Sequence, residues 1–220
     1  MKIKILKNGP YLISKDIPLY EKEIVKKDGL MHLKTIRKIE VEGDYALCRC
    51  GQSSNMPFCD GTHQNVNFDG TETADRIDYL DRAEILYGED LDLLDDNRCA
   101  YARFCHKHNG DVWTLTELSD NPENKKQALE AASQCPTGRL TARNKDGSLI
   151  EPKLEPSISF VQDIPEEVSA GLFVEGYIPI ESADGTLYET RNRITLCRCG
   201  ASENKPFCDA MHVTIDFQDK

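Results

Sequence analysis

Residues 48–63, "CRCGQSSNMPFCDGTH", place Cys48, Cys50, Cys59 and His63 inside one short segment, and residues 197–212, "CRCGASENKPFCDAMH", place Cys197, Cys199, Cys208 and His212 the same way. Thiols and imidazoles at this density point to metal ligation. Cys59 and His63 stand four apart, so a helical turn beginning at Asp60 or Gly61 puts both on one face, able to hold one metal atom. Asp60 and Asp209 are suited to cap that turn. Cys48 and Cys50 flank a single residue in a glycine-containing loop and are close enough to share a second atom. Two pairs holding one atom each suit a binuclear 2Fe–2S cluster. A single zinc bound by three cysteines and one histidine competes with it, although structural zinc sites favour a wider gap than C-x-C.

Nine cysteines fall into three groups of three: 48/50/59, 99/105/135 and 197/199/208, and an odd count argues against a closed disulfide framework. The 220 residues are enough for one large domain or two to three small ones, and 39% apolar content is that of a soluble globular chain. No apolar run approaches the roughly 18 residues a membrane span needs, and the start "MKIKILKNGPYLISKD" alternates like a strand rather than like a signal peptide. The expected location is the cytoplasm. A net charge of −11 disfavours nucleic acid and anionic membrane as partners. The Lys-rich N-terminal segments and the acidic run 87–96, "YGEDLDLLDD", read as solvated surface.

The two Cys/His segments belong to a longer internal repeat. Upstream stand "GPYLISKDIPL" and "AGLFVEGYIPI", and downstream "HQNVNF" and "HVTIDF" both place Phe five residues after His. The expected units are residues 1–70, 71–154 and 155–220. "RKIEVEGDYALC" and "RNRITLC" read as strands entering the cysteine loops. In the middle, "TADRIDYLDRAEIL" has helical spacing and "DVWTLTEL" reads as a strand. "NPENKKQALEAASQ" reads as a helix opening on Pro122 and closing at Cys135-Pro136. "GRLTAR" is then a strand, "NKDGS" a turn, and "IEPKLEPSISF" a Pro-rich link.

The pattern C-x-C-x2-S-x3-P-x-C-D-G-T-H, carried by Cys48, Cys50, Ser53, Pro57, Cys59, Asp60, Gly61, Thr62 and His63, resembles the signature of the CDGSH iron–sulfur (NEET) family. The second copy matches at Cys197, Cys199, Ser202, Pro206, Cys208, Asp209 and His212 and departs at Ala210 and Met211, which leaves the four ligands intact but bears on the surroundings of His212. The resemblance implies one 2Fe–2S cluster per motif. Cys48 and Cys50 would hold one iron and Cys59 and His63 the other, with Cys197/Cys199 and Cys208/His212 alike. An imidazole in place of a thiolate removes one negative charge, which raises the reduction potential, and it adds a proton-sensitive ligand. Ser53 and Ser202 are either donors to cluster sulfur or ordinary turn serines.

Cys99 and Cys105 in "CAYARFC", with Cys135 before Pro136, resemble the C-x5-C…C-P pattern of divergent single-cluster ferredoxins. The position of the usual fourth cysteine is Ala102, so three thiolates suit a 3Fe–4S cluster, or a 4Fe–4S cluster with an outside ligand for which His106 and His108 are the candidates. His32 reads as a surface histidine and Trp113 as core. The expected fold is α+β: two small β-rich CDGSH modules forming an intrachain pseudo-dimer, with the strands of "GPYLIS" and "GLFVEG" exchanged, plus a ferredoxin-like insert. No phosphate loop, nucleophile–base pair or flavin or nicotinamide fingerprint is present in the sequence, which favours a multi-cluster electron carrier over an enzyme. A cluster donor, store or sensor, or a structural zinc protein, would be the alternatives. Expected partners are redox proteins or apo iron–sulfur acceptors, and the chain is expected to be a monomer.

Overall fold

The structure, a computed structural model, describes residues 1–219. It is mixed α and β, mostly sheet with five short helices. The N-terminal Cys/His segment sits at the end of a four-stranded sheet whose order is Ile180–Glu181, Ile3–Ile5, Tyr11–Ile13, Tyr45–Leu47. The C-terminal segment sits at the end of a five-stranded sheet ordered Arg193–Leu196, Val168–Glu175, Ser157–Asp163, Leu19–Lys27, Leu30–Ile39. Four strands correspond in order between the two sheets, and the second adds Leu30–Ile39 at its edge. Tyr45–Leu47 and Arg193–Leu196 each lead into a C-x-C loop, and each pairs antiparallel with the strand holding Tyr11 or Leu172.

The halves are joined by reciprocal parallel pairs. Leu19, just after Ile17-Pro18, pairs with Ile158 of the C-terminal half, and Ile180, just after Ile178-Pro179, pairs with Ile3 of the N-terminal half. This is an intrachain pseudo-dimer, with one correction to the expected exchange. The "GPYLIS" and "GLFVEG" strands stay in their own sheets, and the strands that cross are those following Ile-Pro, where proline's fixed φ carries the chain from one sheet to the other. A single apolar core results, to which Ile3, Tyr11, Leu19 and Leu47 contribute from one half and Ile158, Leu172, Ile180 and Leu196 from the other.

Between them lies the insert. Its antiparallel sheet runs Leu149–Ile150, Leu140–Arg143, Asp92–Asp95, Glu84–Tyr87, and the helices Val112–Glu117 and Pro122–Gln134 pack against it over a core of its own. The long helix begins as expected, with Asn121 accepting from the Glu123 and Asn124 N–H groups, and ends at Cys135.

Three expectations for the middle fail. "TADRIDYLDRAEIL" forms only one helical turn, Tyr79–Arg82, followed by a strand. "DVWTLTEL" is a helix, because Asp111 accepts from the Thr114 N–H and so caps a turn that its β-branched residues would not start alone. The acidic run is not all solvated surface. Asp92–Asp95 is a strand, and Asp92 is 3% exposed, held by Arg143 and Lys145 at 2.7 Å each. Among the described residues no helix is long and apolar enough to cross a membrane.

Candidate metal centres

The two outer segments fold alike, bond for bond. The Cys48 N–H donates to the Pro57 carbonyl and the Cys197 N–H to that of Pro206, both at 2.8 Å. Cys59 and Cys208 donate to Ala46 and Thr195, both at 2.9 Å, so the third cysteine of each segment lies beside the strand that delivers the first. Ser53 and Ser202 donate their hydroxyl protons to the Phe58 and Phe207 carbonyls at 2.6 and 2.7 Å. They are turn serines, and their protons are not directed at sulfur. Asp60 and Asp209 each take two backbone N–H groups, which holds the loop shut and keeps the Asp60 carboxyl well below the usual carboxylate range. Both acids stand one residue ahead of the helix cap proper. The cap is Gly61 (φ 90°) in one copy and Ala210 (φ 71°) in the other, so the departure at Ala210 keeps the left-handed backbone that glycine favours.

This turn puts the ligand candidates in pairs. Cys48 and Cys50 have sulfurs 3.7 Å apart, and Cys197 and Cys199 3.6 Å. His63 Nδ1 is 3.3 Å from the Cys59 sulfur, and His212 Nδ1 3.4 Å from that of Cys208. Thiolates bound at about 2.3 Å and an imidazole at about 2.0 Å around one tetrahedral atom would be separated by about 3.7 Å and about 3.5 Å. Each pair therefore fits one metal atom. Among the described residues no three Cys, His, Asp or Glu side chains converge as a set that could hold a single ion. Burial pushes the Cys50 thiol up to about 11 and raises Cys208 as well, so these sulfurs stay protonated until a cation takes the proton's place.

The two sites are not equivalent in exposure. Cys59 and His63 are half-buried, whereas Cys208 and His212 are buried at 3% and 2%. Burial pulls the His212 imidazole down to about 4, and its Nε2 is enclosed without a hydrogen-bond partner. The sites also touch. A Cβ on Gly51 would lie 2.4 Å from the Cys199 carbonyl oxygen and one on Gly200 2.6 Å from that of Cys50, so the C-x-C loops abut through two glycines of positive φ. The Tyr11 hydroxyl crosses from the N-terminal half to the Cys197 carbonyl at 2.7 Å.

Cys99, Cys105 and Cys135 line one partly open pocket of about 70 Å³. Ala102, where a fourth cysteine would stand, is on its wall, as is Trp113, which packs half-buried against the insert's core and donates to Asp95 at 3.0 Å. The loop between Cys99 and Cys105 has Tyr101 and Arg103 at positive φ, and the Tyr101 N–H points to the Cys99 sulfur at 3.3 Å. His106 and His108 are exposed and do not line the cavity, and His32 is exposed as expected. Cys99 and Cys208 line a common cleft, so the insert's cysteines adjoin the second outer site. The docking is firm. Arg193, just ahead of Cys197, donates to the Cys135 carbonyl at 3.0 Å, and Arg103 forks onto buried Asp163 at 2.7 and 2.9 Å.

Two residues escaped the sequence reading. Arg49 and Arg198, the middle letters of each C-R-C, are buried at 2% and 1%. An arginine between metal-binding cysteines was the available signal.

Residues 8–64 and 170–213 match the family model described as iron-binding zinc finger, CDGSH type, and residues 86–145 match that of a divergent 4Fe-4S mono-cluster. With paired thiols and imidazoles at metal-binding distances, this defines an iron–sulfur protein. Two regions that match the CDGSH model flank one that matches the divergent mono-cluster model. No curated protein and no solved structure gives a match.

Proposed function

We propose that the chain is a multi-cluster electron carrier. In this reading, residues 1–70 and 155–220 each hold a 2Fe–2S cluster, on Cys48, Cys50, Cys59 and His63 and on Cys197, Cys199, Cys208 and His212. Residues 71–154 hold a 3Fe–4S or 4Fe–4S cluster on Cys99, Cys105 and Cys135. The supporting observation is contiguity: the outer sites meet at Gly51 and Gly200, and the second meets the insert across the Cys99–Cys208 cleft. Such clusters supply one-electron chemistry at potentials tuned by charge, hydrogen bonds and exposure. The residues of the chain keep the three sites in a row, keep water from the central one, and leave His63 only half-buried. Redox proteins are the corresponding partners, and the cytoplasm the corresponding location.

The test is anaerobic purification, iron and sulfide analysis, and repeated reduction and reoxidation. A carrier keeps its iron through the cycles. The half-exposed Cys59–His63 pair favours one second reading, a donor that passes its first cluster to an apo acceptor. Stoichiometric loss of iron to an added apo-ferredoxin, with no stable redox cycle, would establish that reading instead.

A further inference from the structure

Arg49 and Arg198 occupy equivalent positions, each between the two cysteines of its C-x-C loop, yet their charges are handled differently. Arg198 donates from Nε to the Ala170 carbonyl at 2.6 Å and from Nη2 to that of Val161 at 2.9 Å, and its Nη1 pairs with Asp219. Asp219 is itself held by Ser169 and Gln162, at 2.7 and 2.9 Å. The second site therefore sits beside an ion pair whose net charge is zero. Arg49 donates from Nη2 to the Gly70 carbonyl, while its Nε and Nη1 are buried without a partner. Among the described residues no carboxylate forms an ion pair with it. Asp69, nearby in the chain, is exposed and bonded to Thr71 at 2.6 Å. The guanidinium lies instead over the Tyr11 and Phe68 rings, with centroids at 5.7 and 5.3 Å.

We infer that Arg49 sets the reduction potential of the first outer site above that of the second. It does so by leaving an uncompensated buried cation beside Cys48 and Cys50, where the second site has a neutralised one. Adding an electron adds a negative charge, and a cation in a low-dielectric surround stabilises that charge far more than it would in water. The greater burial of the second site works in the same direction, because a more enclosed centre gains less from solvent on reduction. An electron on the second site therefore runs downhill to the first, whose Cys59 and His63 reach the surface. Arg49 acts here as a tuning residue, not a ligand. The inference rests on the reading of both motifs as cluster ligands.

The experiment is an anaerobic redox titration followed by magnetic resonance, with the first site's signal identified by its loss in Cys59→Ala. Iron and sulfide are assayed first, so absence of clusters would sink the ligand assignment, while unmoved potentials in loaded protein would sink only this inference. In the unmodified chain the first site is expected to be reduced before the second. Arg49→Gln should shift the first midpoint downward and leave the second in place, and Arg49→Lys should restore much of the difference. Asp219→Asn, which uncovers the Arg198 charge, should shift the second midpoint upward. If Arg49→Gln fails to load, the order in the unmodified chain and the Asp219→Asn shift decide the matter. A second site reduced first, or midpoints indifferent to both substitutions, would overturn the assignment.

Discussion

The exposure of a single imidazole separates the two outer sites. His63 is half-buried and His212 is 2% exposed, although both stand four residues after a cysteine at nearly the same distance from its sulfur. A ligating nitrogen is displaced from its metal when it takes a proton, and the proton must come from water. Mild acid is therefore expected to bleach the first site before the second, seen as two kinetic phases in visible absorbance after a drop to about pH 5. His63→Cys should slow the faster phase and leave the slower one unchanged. A single phase, or no effect of the substitution, would show that His63 is not the exposed ligand. In the insert, Cys135→Ser should remove the middle cluster's signal while both outer signals persist.

At the scale of elements, two glycines and a helix cap set the geometry of the sites. A side chain on Gly51 would overlap the backbone of the facing loop as well as occupy a left-handed conformation. Gly51→Ala is expected to cost several kcal/mol, about 1–3 from backbone conformation alone with the overlap added, measured as a lower midpoint of thermal unfolding and the loss of both outer clusters. Gly61→Ala is the control. Its Cβ meets nothing within 4 Å, and Ala210 already fills the equivalent place, so a cost of about 1–2 kcal/mol is expected. In the insert, Asp111→Ala should cost about 1 kcal/mol by uncapping Val112–Glu117. These elements also mark what could be read in advance. The helix Pro122–Gln134 was legible because its Asn cap, first-turn Pro and following Cys-Pro are all local signals. The helix Val112–Glu117 was not, because its composition favours a strand and only the Asp111 cap and packing against the insert's sheet decide otherwise. The acidic run misled for a related reason: its charges are cancelled by Arg143, Lys145 and Arg139, which are far away in the sequence. The side-chain pairs Cys48–Cys50 and Cys59–His63, and their counterparts in the second segment, were legible since spacing alone nearly fixes which groups meet. The buried arginines between the cysteines were not, since nothing in C-R-C says which way the middle side chain turns.

The whole molecule carries its symmetry internally. Both halves contribute to one core, and each sheet is completed by a strand from the other half, so the pairing that would otherwise need a second chain is already satisfied. The protein is expected to run as a monomer at its mass of 24.8 kDa in light scattering. Loaded protein should contain about seven irons, two in each outer site and three in the middle, or about eight with a 4Fe–4S centre. A colourless preparation with stoichiometric zinc would contradict the whole scheme.

The crossing strands also impose an order on the molecule's birth. Ile3 pairs locally with Ile13 and Leu19 with Ile39, but the other neighbour of each is far along the chain, at Ile180 and Ile158. A chain emerging from the ribosome therefore exposes Cys48, Cys50, Cys59 and His63 long before the sheet beneath them can close. Pairings so distant along the chain form late and slowly. The insert, whose contacts are mostly its own, can fold while the N-terminal half waits. The first motif to be synthesised is thus among the last to be finished, and any iron and sulfide it takes is expected to reach a chain already complete.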